Sequence, residues 1–142
     1  MVLSKSAIYG LRATLFVASL KRDGYTPVRE ISRELKISFH FLAKILQSLT
    51  QVGILRSFRG PNGGVTLARA ADEIMLSELV EAIEGPRPAR QCILGLPGCG
   101  IEKPCPLHHK WEDTQNRMDS FFRGTTLGEL SHKIVELDLR LV

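Results

Sequence analysis

The chain has 142 residues, of which 44% are hydrophobic, and a net charge of +4. This length fits one domain or a small domain with an extension, and the apolar fraction excludes a globally disordered chain. The sequence has no run of about 18 apolar residues, which excludes a transmembrane helix, and its first residues lack the pattern of a signal peptide. We therefore expect a cytoplasmic protein with no membrane partner.

The charge is divided unevenly between the two halves. Residues 1–70 carry 11 Lys and Arg against 3 Asp and Glu, a net charge of +8, whereas residues 71–142 carry 8 against 12, a net charge of −4. A basic half is typical of a surface that faces a polyanion such as nucleic acid. An unevenly charged, solvated surface would give the same count, so the charge alone leaves both interpretations open.

Three helices are predicted in the basic half. The first covers residues 4–22, where apolar side chains recur on one face, and it ends at Asp23-Gly24. Thr26 is predicted to cap a second helix, with Pro27 at the first helical position. Ser38 is predicted to cap a third helix over residues 38–52. The inward-facing residues of this third helix are Leu42, Ile45, Leu46 and Leu49.

A β-hairpin follows the third helix. Residues 54–58 and 65–68 have the composition of short strands, and the residues between them, Arg59-Gly60-Pro61-Asn62-Gly63-Gly64, are typical of a turn. Two short helices joined by a turn and followed by a hairpin are the order of a winged helix-turn-helix. The predicted fold is therefore mainly α with a small β-hairpin, and residues 1–84 form the DNA-binding domain.

The acidic half is predicted to contain a loop and a long helix. A short helix over residues 77–84 ends at Gly85, and residues 85–105 form a loop rich in Gly and Pro. The segment 106–142 is predicted to hold a dimerisation helix and a C-terminal helix that begins with a Thr126 and Glu129 capping pair. The near-heptad stripe predicted for dimerisation consists of Leu107, Trp111, Met118 and Phe122.

The third helix and the hairpin carry the predicted DNA contacts. A helix with one buried face presents its other face outward, where it fits the major groove, and its first-turn amides can bind phosphate. An arginine on a slim glycine loop can enter a narrow minor groove. An ordinary glycine turn with solvated arginines is the alternative. The predicted contacts are Ser38, Phe39, His40, Lys44 and Gln47 on the helix, and Arg56, Arg59, Gly60 and Gly63 on the hairpin.

All three cysteines, Cys92, Cys99 and Cys105, lie in the predicted loop, and His108 follows them. Six residues separate the first pair and five the second, whereas structural zinc sites usually contain ligands two to four residues apart. Wide spacing on a loop rich in Gly and Pro favours ligands that wrap around a larger inorganic core. We therefore predict an iron–sulfur cluster bound by these four residues, with His109 as the alternative to His108.

Other interpretations of the cysteines stay open. A zinc ion and freely packed thiols fit the residue types, and a redox thiol switch is the strongest rival of the cluster. Cys105 and His108 could form the nucleophilic pair of an enzyme, but no third orienting group is evident. A protein-interaction adaptor without affinity for duplex DNA is the remaining alternative. Because no third orienting group for catalysis is evident, we expect a regulator and not an enzyme.

These motifs together resemble a family of small bacterial winged-helix regulators, typified by the iron–sulfur cluster regulator (IscR) and the nitric-oxide-sensing repressor (NsrR). The resemblance extends over nearly the whole chain and includes the three cysteines after the fourth helix. The wing and the cysteine triad together make it specific. The other residues that carry it are Tyr9-Gly10-Leu11-Arg12, Ser57-Phe58-Arg59-Gly60-Pro61-Asn62-Gly63-Gly64-Val65 and Thr126-Leu127-Gly128-Glu129-Leu130.

The resemblance implies a homodimer that crosses through the helix at about 106–123 and binds a palindromic operator in double-stranded DNA. In the IscR type the fourth cluster ligand is a histidine that corresponds to His108. In the NsrR type it is an aspartate of the partner's first helix, where this chain has Ile8. These features favour a [2Fe–2S] over a [4Fe–4S] cluster. The resemblance also allows regulators without cysteines that respond to partner proteins.

The chain departs from the family pattern at two points. The first cysteine gap is one residue longer than expected, and Val65 stands where the family often has an aromatic residue. The predicted mechanism is that a change in the cluster reshapes residues 92–108. Through the adjoining helix this alters the spacing of the two recognition helices, which are the third helices of the two subunits. Half-sites about one turn of DNA, ~34 Å, apart make binding sensitive to small shifts.

Overall fold

A computed structural model describes residues 3–20, 22–86, 91–100 and 102–142 of the chain. Within these residues, six α-helices and one antiparallel two-stranded sheet form, which confirms the predicted mainly α fold with a small hairpin. The elements are α1 (Lys5–Ser19), α2 (Val28–Leu35), α3 (Phe39–Gln51), β1 (Leu55–Phe58), β2 (Gly64–Leu67), a 3-10 helix (Ala71–Glu73), α4 (Leu76–Glu84), α5 (His108–Gly124) and α6 (Leu127–Glu136).

Three parts of the predicted organisation lie outside the described residues. These are residues 1–2, residue 21 near the predicted end of the first helix, and residues 87–90 and 101 of the predicted cysteine loop. The N-terminal helix ends at Ser19, three residues before the predicted boundary. No helix in the described part of the chain is long and apolar enough to cross a bilayer.

The beginning of α2 differs from the prediction that Thr26 caps it. Pro27 occupies the N-cap position, whereas Thr26 is buried and pairs with Val65 of β2. The Thr26 N–H donates to the Val65 carbonyl at 2.8 Å, and the Val65 N–H donates to the Thr26 carbonyl at 2.9 Å. Gly64 permits this approach, because a Cβ there would overlap the Thr26 carbonyl. The wing is therefore fastened to the segment before α2.

One hydrophobic core joins the two halves of the chain. All four residues predicted to face inward from the third helix are buried, as the 3.6-residue periodicity requires. Phe122 of α5 and Leu127 at the start of α6 belong to the same core as residues of α1 to α4. Each large apolar side chain buried in this way stabilises the fold by roughly 1.5–3 kcal/mol.

Backbone hydrogen bonds connect the C-terminal helices to α4. The Leu76 N–H donates to the Thr125 carbonyl at 3.0 Å, and the Leu127 N–H donates to the Ile74 carbonyl at 2.8 Å. Thr126 caps α6 through its hydroxyl, which accepts a hydrogen bond from the Glu129 N–H at 3.1 Å, and this is one of the two bonds of the predicted capping pair. The end of α5 is therefore held against the half of the chain that contains α1 to α4.

Candidate DNA-binding surface and metal centre

The outer face of α3 presents the side chains that were predicted to contact DNA. Four of them are exposed, and Phe39 is half-buried. Ser38 occupies the N-cap position, but its side chain makes no capping hydrogen bond, contrary to the prediction. The first-turn amides of α3 are thus not covered by the Ser38 side chain. The exposed members are Ser38, His40, Lys44 and Gln47.

Arg29 belongs to the same surface, although the sequence reasoning did not identify it. It lies in the first turn of α2, is exposed, and places its guanidinium carbon 4.9 Å from the centre of the Phe39 ring. An arginine over an aromatic face is held by a cation–π interaction of about 0.5–1 kcal/mol at an exposed site. The positive charge of Arg29 is therefore oriented beside the N-terminus of α3. This contact joins two helices and becomes visible only in the folded chain.

The wing carries its two predicted arginines on an exposed hairpin. Arg56 lies on β1 and Arg59 lies in the turn, next to Gly60, whose φ of 109° favours glycine. Gly63 packs so closely that a Cβ would overlap the Phe58 carbonyl. Phe58 itself was not predicted as a contact, yet its side chain is 56% exposed beside the turn. An exposed aromatic residue next to two arginines enlarges the surface that the wing can present to a duplex.

The three cysteines come together although 12 residues lie between the first and the last. Their Sγ atoms all lie within 4.8 Å of one another, and the Cys92 and Cys105 Sγ atoms are 3.7 Å apart. The Cys105 N–H donates to the Cys99 Sγ at 3.3 Å. Three convergent thiols form a donor set that soft metal ions and iron–sulfur clusters prefer.

His108 lies next to the thiols at the first residue of α5. Its Nδ1 is 3.7 Å from the Cys99 Sγ, and the backbone N–H of His108 donates to the Cys105 carbonyl at 3.0 Å. Its Nε2 lies 4.0 Å from a carboxylate oxygen of Glu112, one turn further along the helix. A carboxylate near Nε2 favours the tautomer that leaves Nδ1 free to bind a metal. His109 is exposed, and its ring centre is 5.2 Å from that of His108.

Gly100 shapes the position of the His108 ring, and the sequence reasoning missed this residue. Its φ of 91° favours glycine, and a Cβ there would overlap the Cε1 atom of the imidazole. The same loop contains Gly98, whose φ is 70° but which has open space around the Cβ position. Gly100 is therefore required for close packing against His108 as well as for its turn.

Two of the thiols have shifted acidity. The backbone N–H groups of Leu96 and Leu94, together with the neighbouring thiols, lower the pKa of Cys92 to about 7. For Cys99, the hydrogen bond from the Cys105 N–H lowers the pKa, but burial and the two neighbouring thiols outweigh it and raise the pKa overall. Cys92 thus has substantial thiolate character near neutral pH, which is the form that binds metal.

The predicted dimerisation stripe on α5 does not remain one continuous exposed surface. Leu107 is 41% exposed and Met118 is half-buried. Phe122, however, is only 7% exposed, because its side chain packs into the core of its own chain. The indole N–H of Trp111 donates to the Gln91 carbonyl at 2.8 Å, so this side chain contacts the cysteine loop. The four residues that recur at spacings of four, seven and four therefore lie in different environments within one chain.

An open pocket lies over the thiols and the first turns of α5. Its volume is about 280 Å³, including the solvent at its mouth. The donor set lies on its wall, where the space that a water-sized group can enter is only about 10 Å³, so the pocket gathers the donors but does not itself hold a preformed cavity for a larger group. The lining residues are Gln91, Cys92, Ile93, Cys99, Cys105, His108, Trp111, Glu112 and Gln115.

The helices α2 and α3 followed by the β1–β2 wing define a winged-helix protein of the DNA-binding regulator class. Solved structures have the same fold. The global cysteine regulator CymR of B. subtilis matches with a TM-score of 0.77 at 23% identity, over 93% of this chain and 97% of that one. The T. potens IscR matches with a TM-score of 0.76 at 19% identity, over 99% and 93% of the two chains.

The chain belongs to the Rrf2 family, whose model, described as an iron-dependent transcriptional regulator, matches residues 3–133. It is 32% identical over 139 residues to the HTH-type transcriptional regulator IscR of Escherichia coli O1:K1 / APEC, covering 98% of this chain and 85% of that protein. It is 34% identical over 130 residues to IscR of Aliivibrio salmonicida, covering 92% and 77%. The chain is therefore a transcriptional regulator of this family.

Proposed function

We propose that this regulator binds a palindromic DNA operator as a homodimer, and that an iron–sulfur cluster on Cys92, Cys99, Cys105 and His108 controls this binding. The observation that carries the proposal is the convergence of three thiols within 4.8 Å, with the His108 Nδ1 3.7 Å from one of them. The similarity to IscR proteins supports the same assignment. A [2Fe–2S] cluster suits the mixed sulfur and imidazole donors.

The donor set fits such a cluster in its chemistry. Thiolates are the usual ligands of iron–sulfur clusters, and histidine replaces cysteine in some of them. The pocket beside the sulfur atoms is open, and the hydrogen bond from the Cys105 N–H to the Cys99 Sγ matches the bonds that tune cluster sulfurs. A bound cluster supplies a centre whose charge changes on one-electron oxidation.

The position of the donor set on α5 links it to the DNA-binding half. His108 is the first residue of this 17-residue helix, and Phe122 near its far end packs into the core that also contains α3. At 1.5 Å per residue the helix spans about 25 Å. A change in how the thiols and His108 are held therefore acts on a helix that packs against α4, and α4 in turn packs against the recognition helix α3, which is a physical route for coupling.

Anaerobic purification tests the function directly. We expect coloured protein with iron and sulfide in equal amounts, and salt-dependent binding to an operator duplex that changes when a chelator strips the iron. Colourless, iron-free protein from this preparation, with DNA binding unaffected by added iron and sulfide, would contradict the proposal. Binding to the duplex that does not depend on salt would contradict the DNA-binding surface instead.

A thiol switch without a cluster is the second candidate. The observation that favours it is the 3.7 Å distance between the Cys92 and Cys105 Sγ atoms. Hydrogen peroxide can oxidise two such thiols to a disulfide, with release of two molecules of water. The oxidised form of Staphylococcus aureus CymR has the same fold, with a TM-score of 0.73 at 25% identity. Two measurements on iron-free protein after peroxide treatment distinguish the candidates. Mass spectrometry detects the disulfide, and a duplex titration shows whether it alters DNA affinity, which only the thiol switch requires.

Replacing Gly100 by Ala is expected to weaken the retention of a cluster, because the new Cβ displaces the His108 ring from Cys99. Changes that disturb the orientation of a metal ligand typically cost about 10–100-fold in affinity. The measurement is the rate of iron loss to a chelator, which we expect to rise by about tenfold or more. Gly98→Ala is the matched control, since it strains a similar turn without touching His108. Equal rates for the two variants would exclude this role of Gly100.

A further inference from the structure

We propose that Trp111 is a positioning residue that holds Cys92 against α5, and that this is its main role instead of dimerisation. Trp111 is the single tryptophan of the chain and lies one helical turn after His108. Its indole N–H donates to the Gln91 carbonyl at 2.8 Å. Gln91 directly precedes Cys92, and it lies 20 residues before Trp111, so the hydrogen bond is a tertiary contact between loop and helix.

Cys92 needs such a contact more than the other two cysteines do. Cys105 lies three residues before α5 and is fastened to it by the hydrogen bond from the His108 N–H to its carbonyl. Cys99 is connected to Cys105 through the hydrogen bond that its Sγ accepts. Cys92 is 13 positions before Cys105, which it meets through a weak thiol–thiol contact of 3.7 Å, and the hydrogen bond from the Gly95 N–H to its carbonyl lies within its own turn. The Trp111–Gln91 hydrogen bond instead connects this part of the loop to α5.

The position of the indole ring strengthens the inference. Trp111 lines the same pocket as the three cysteines and His108, so its side chain lies on the side of α5 that faces the cysteine loop. His108 and Trp111 therefore hold opposite ends of the cysteine loop from one turn of helix, as residues three apart on a helix face can do. A movement of Cys92 would be felt by α5 through Trp111.

Trp111→Phe tests the hydrogen bond, because it keeps an aromatic ring and removes the donor. In reduced, metal-free protein we expect hydrogen exchange of the backbone amides at 92–96 to be about three- to tenfold faster, the factor that one hydrogen bond supports. In loaded protein we expect iron loss to a chelator to accelerate by a similar factor. The second expectation rests on the proposed function, whereas the first does not, so the failure of one is distinguishable from the failure of the other.

Phe121→Leu is the control, since Phe121 is a 59% exposed aromatic residue near the other end of α5. It is expected to leave exchange at 92–96 unchanged. Unchanged loop exchange in Trp111→Phe would overturn the proposal, and a simultaneous fall to monomer mass would make Trp111 an interface residue. Faster loop exchange with an unchanged mass supports the proposal, whereas faster exchange together with monomer mass would overturn the statement that dimerisation is not the main role of Trp111. Wild-type protein offers an additional readout, because quenching of the single tryptophan emission on cluster insertion is expected from its place in the pocket.

Discussion

Cys105→Ser protein is expected to fold normally but to bind no cluster. Cys105 is the residue through which the donor set is connected: its Sγ lies 3.7 Å from the Cys92 Sγ, its N–H donates to the Cys99 Sγ, and its carbonyl accepts from His108. Serine preserves both backbone hydrogen bonds and nearly the same side-chain volume. Only the thiolate ligand is lost, and this loss should exceed the about 10–100-fold effect of disturbing an outer-shell group.

The measurement for Cys105→Ser is the iron, the sulfide and the visible absorbance after anaerobic reconstitution, together with duplex binding before and after chelation. We expect no stoichiometric iron and a DNA affinity that no longer responds to the chelator. His109→Gln is the control, because His109 is exposed and adjoins His108 without contacting the thiols as His108 does. Full iron and sulfide in Cys105→Ser would show that the ligand set is different, and loss of iron in the control would assign the fourth ligand to His109.

Arg59→Ala is expected to weaken operator binding by about 1–3 kcal/mol, or about 5–150-fold. The arginine is exposed in the turn of the wing beside Gly60, where a duplex can approach the backbone closely. If its guanidinium contacts a phosphate, the slope of log affinity against log salt should fall by about 1, whereas a contact to a base edge should relax sequence preference at one position. Binding titrations at several salt concentrations, on matched and mutated duplexes, separate these cases.

The control for Arg59→Ala is Arg117→Ala on α5. Arg117 is exposed and forms an ion pair with Asp113 at 3.1 Å, one helical turn away. Exposed pairs of this kind contribute about 0–1 kcal/mol to stability, so the variant should fold and should bind DNA as the wild type does. An Arg59→Ala protein with wild-type affinity would remove this residue from the interface, and equal weakening by both variants would indicate a general loss of positive charge.

The DNA-binding half could be predicted in some detail because its signals are local. The inward face of α3 repeats every three or four residues, and all four predicted positions are buried. The glycine-rich run between Phe58 and Val65 requires a turn, and its strands pair around it. Neither inference depends on a residue far away in the chain, which is why both could be made without coordinates.

Two errors at helix starts and one unexpected burial have a common physical cause. Thr26 was expected to cap α2, but it pairs with Val65, a residue 39 positions later. Ser38 was expected to accept a capping hydrogen bond and makes none. Phe122, which was predicted on a stripe for dimerisation, is buried among residues of the same chain, and its role in a dimer stays a prediction. In each case a distant contact or the local backbone geometry outweighs a preference that sequence spacing expresses.

The sequence could likewise indicate only part of the cysteine site. The kinds of donor, three thiols and a following histidine, are visible in the sequence, and their chemistry favours iron–sulfur binding. Their convergence within 4.8 Å is a property of the folded loop. So are the packing of Gly100 on His108 and the hydrogen bond from Trp111 to Gln91.

The amino-acid sequence was sufficient for the class of fold, the outward face of α3 and the kinds of donor in the cysteine loop, because periodicity, turn residues and ligand types are encoded over a few neighbouring positions. It was not sufficient for the partners of Thr26, Arg29, Trp111 and Phe122. Those partners are set by long-range packing, in which residues far apart along the chain compete for the same space. The winged helix follows from local preferences, whereas its connection to the cysteine loop follows from where α5 lies in the folded chain.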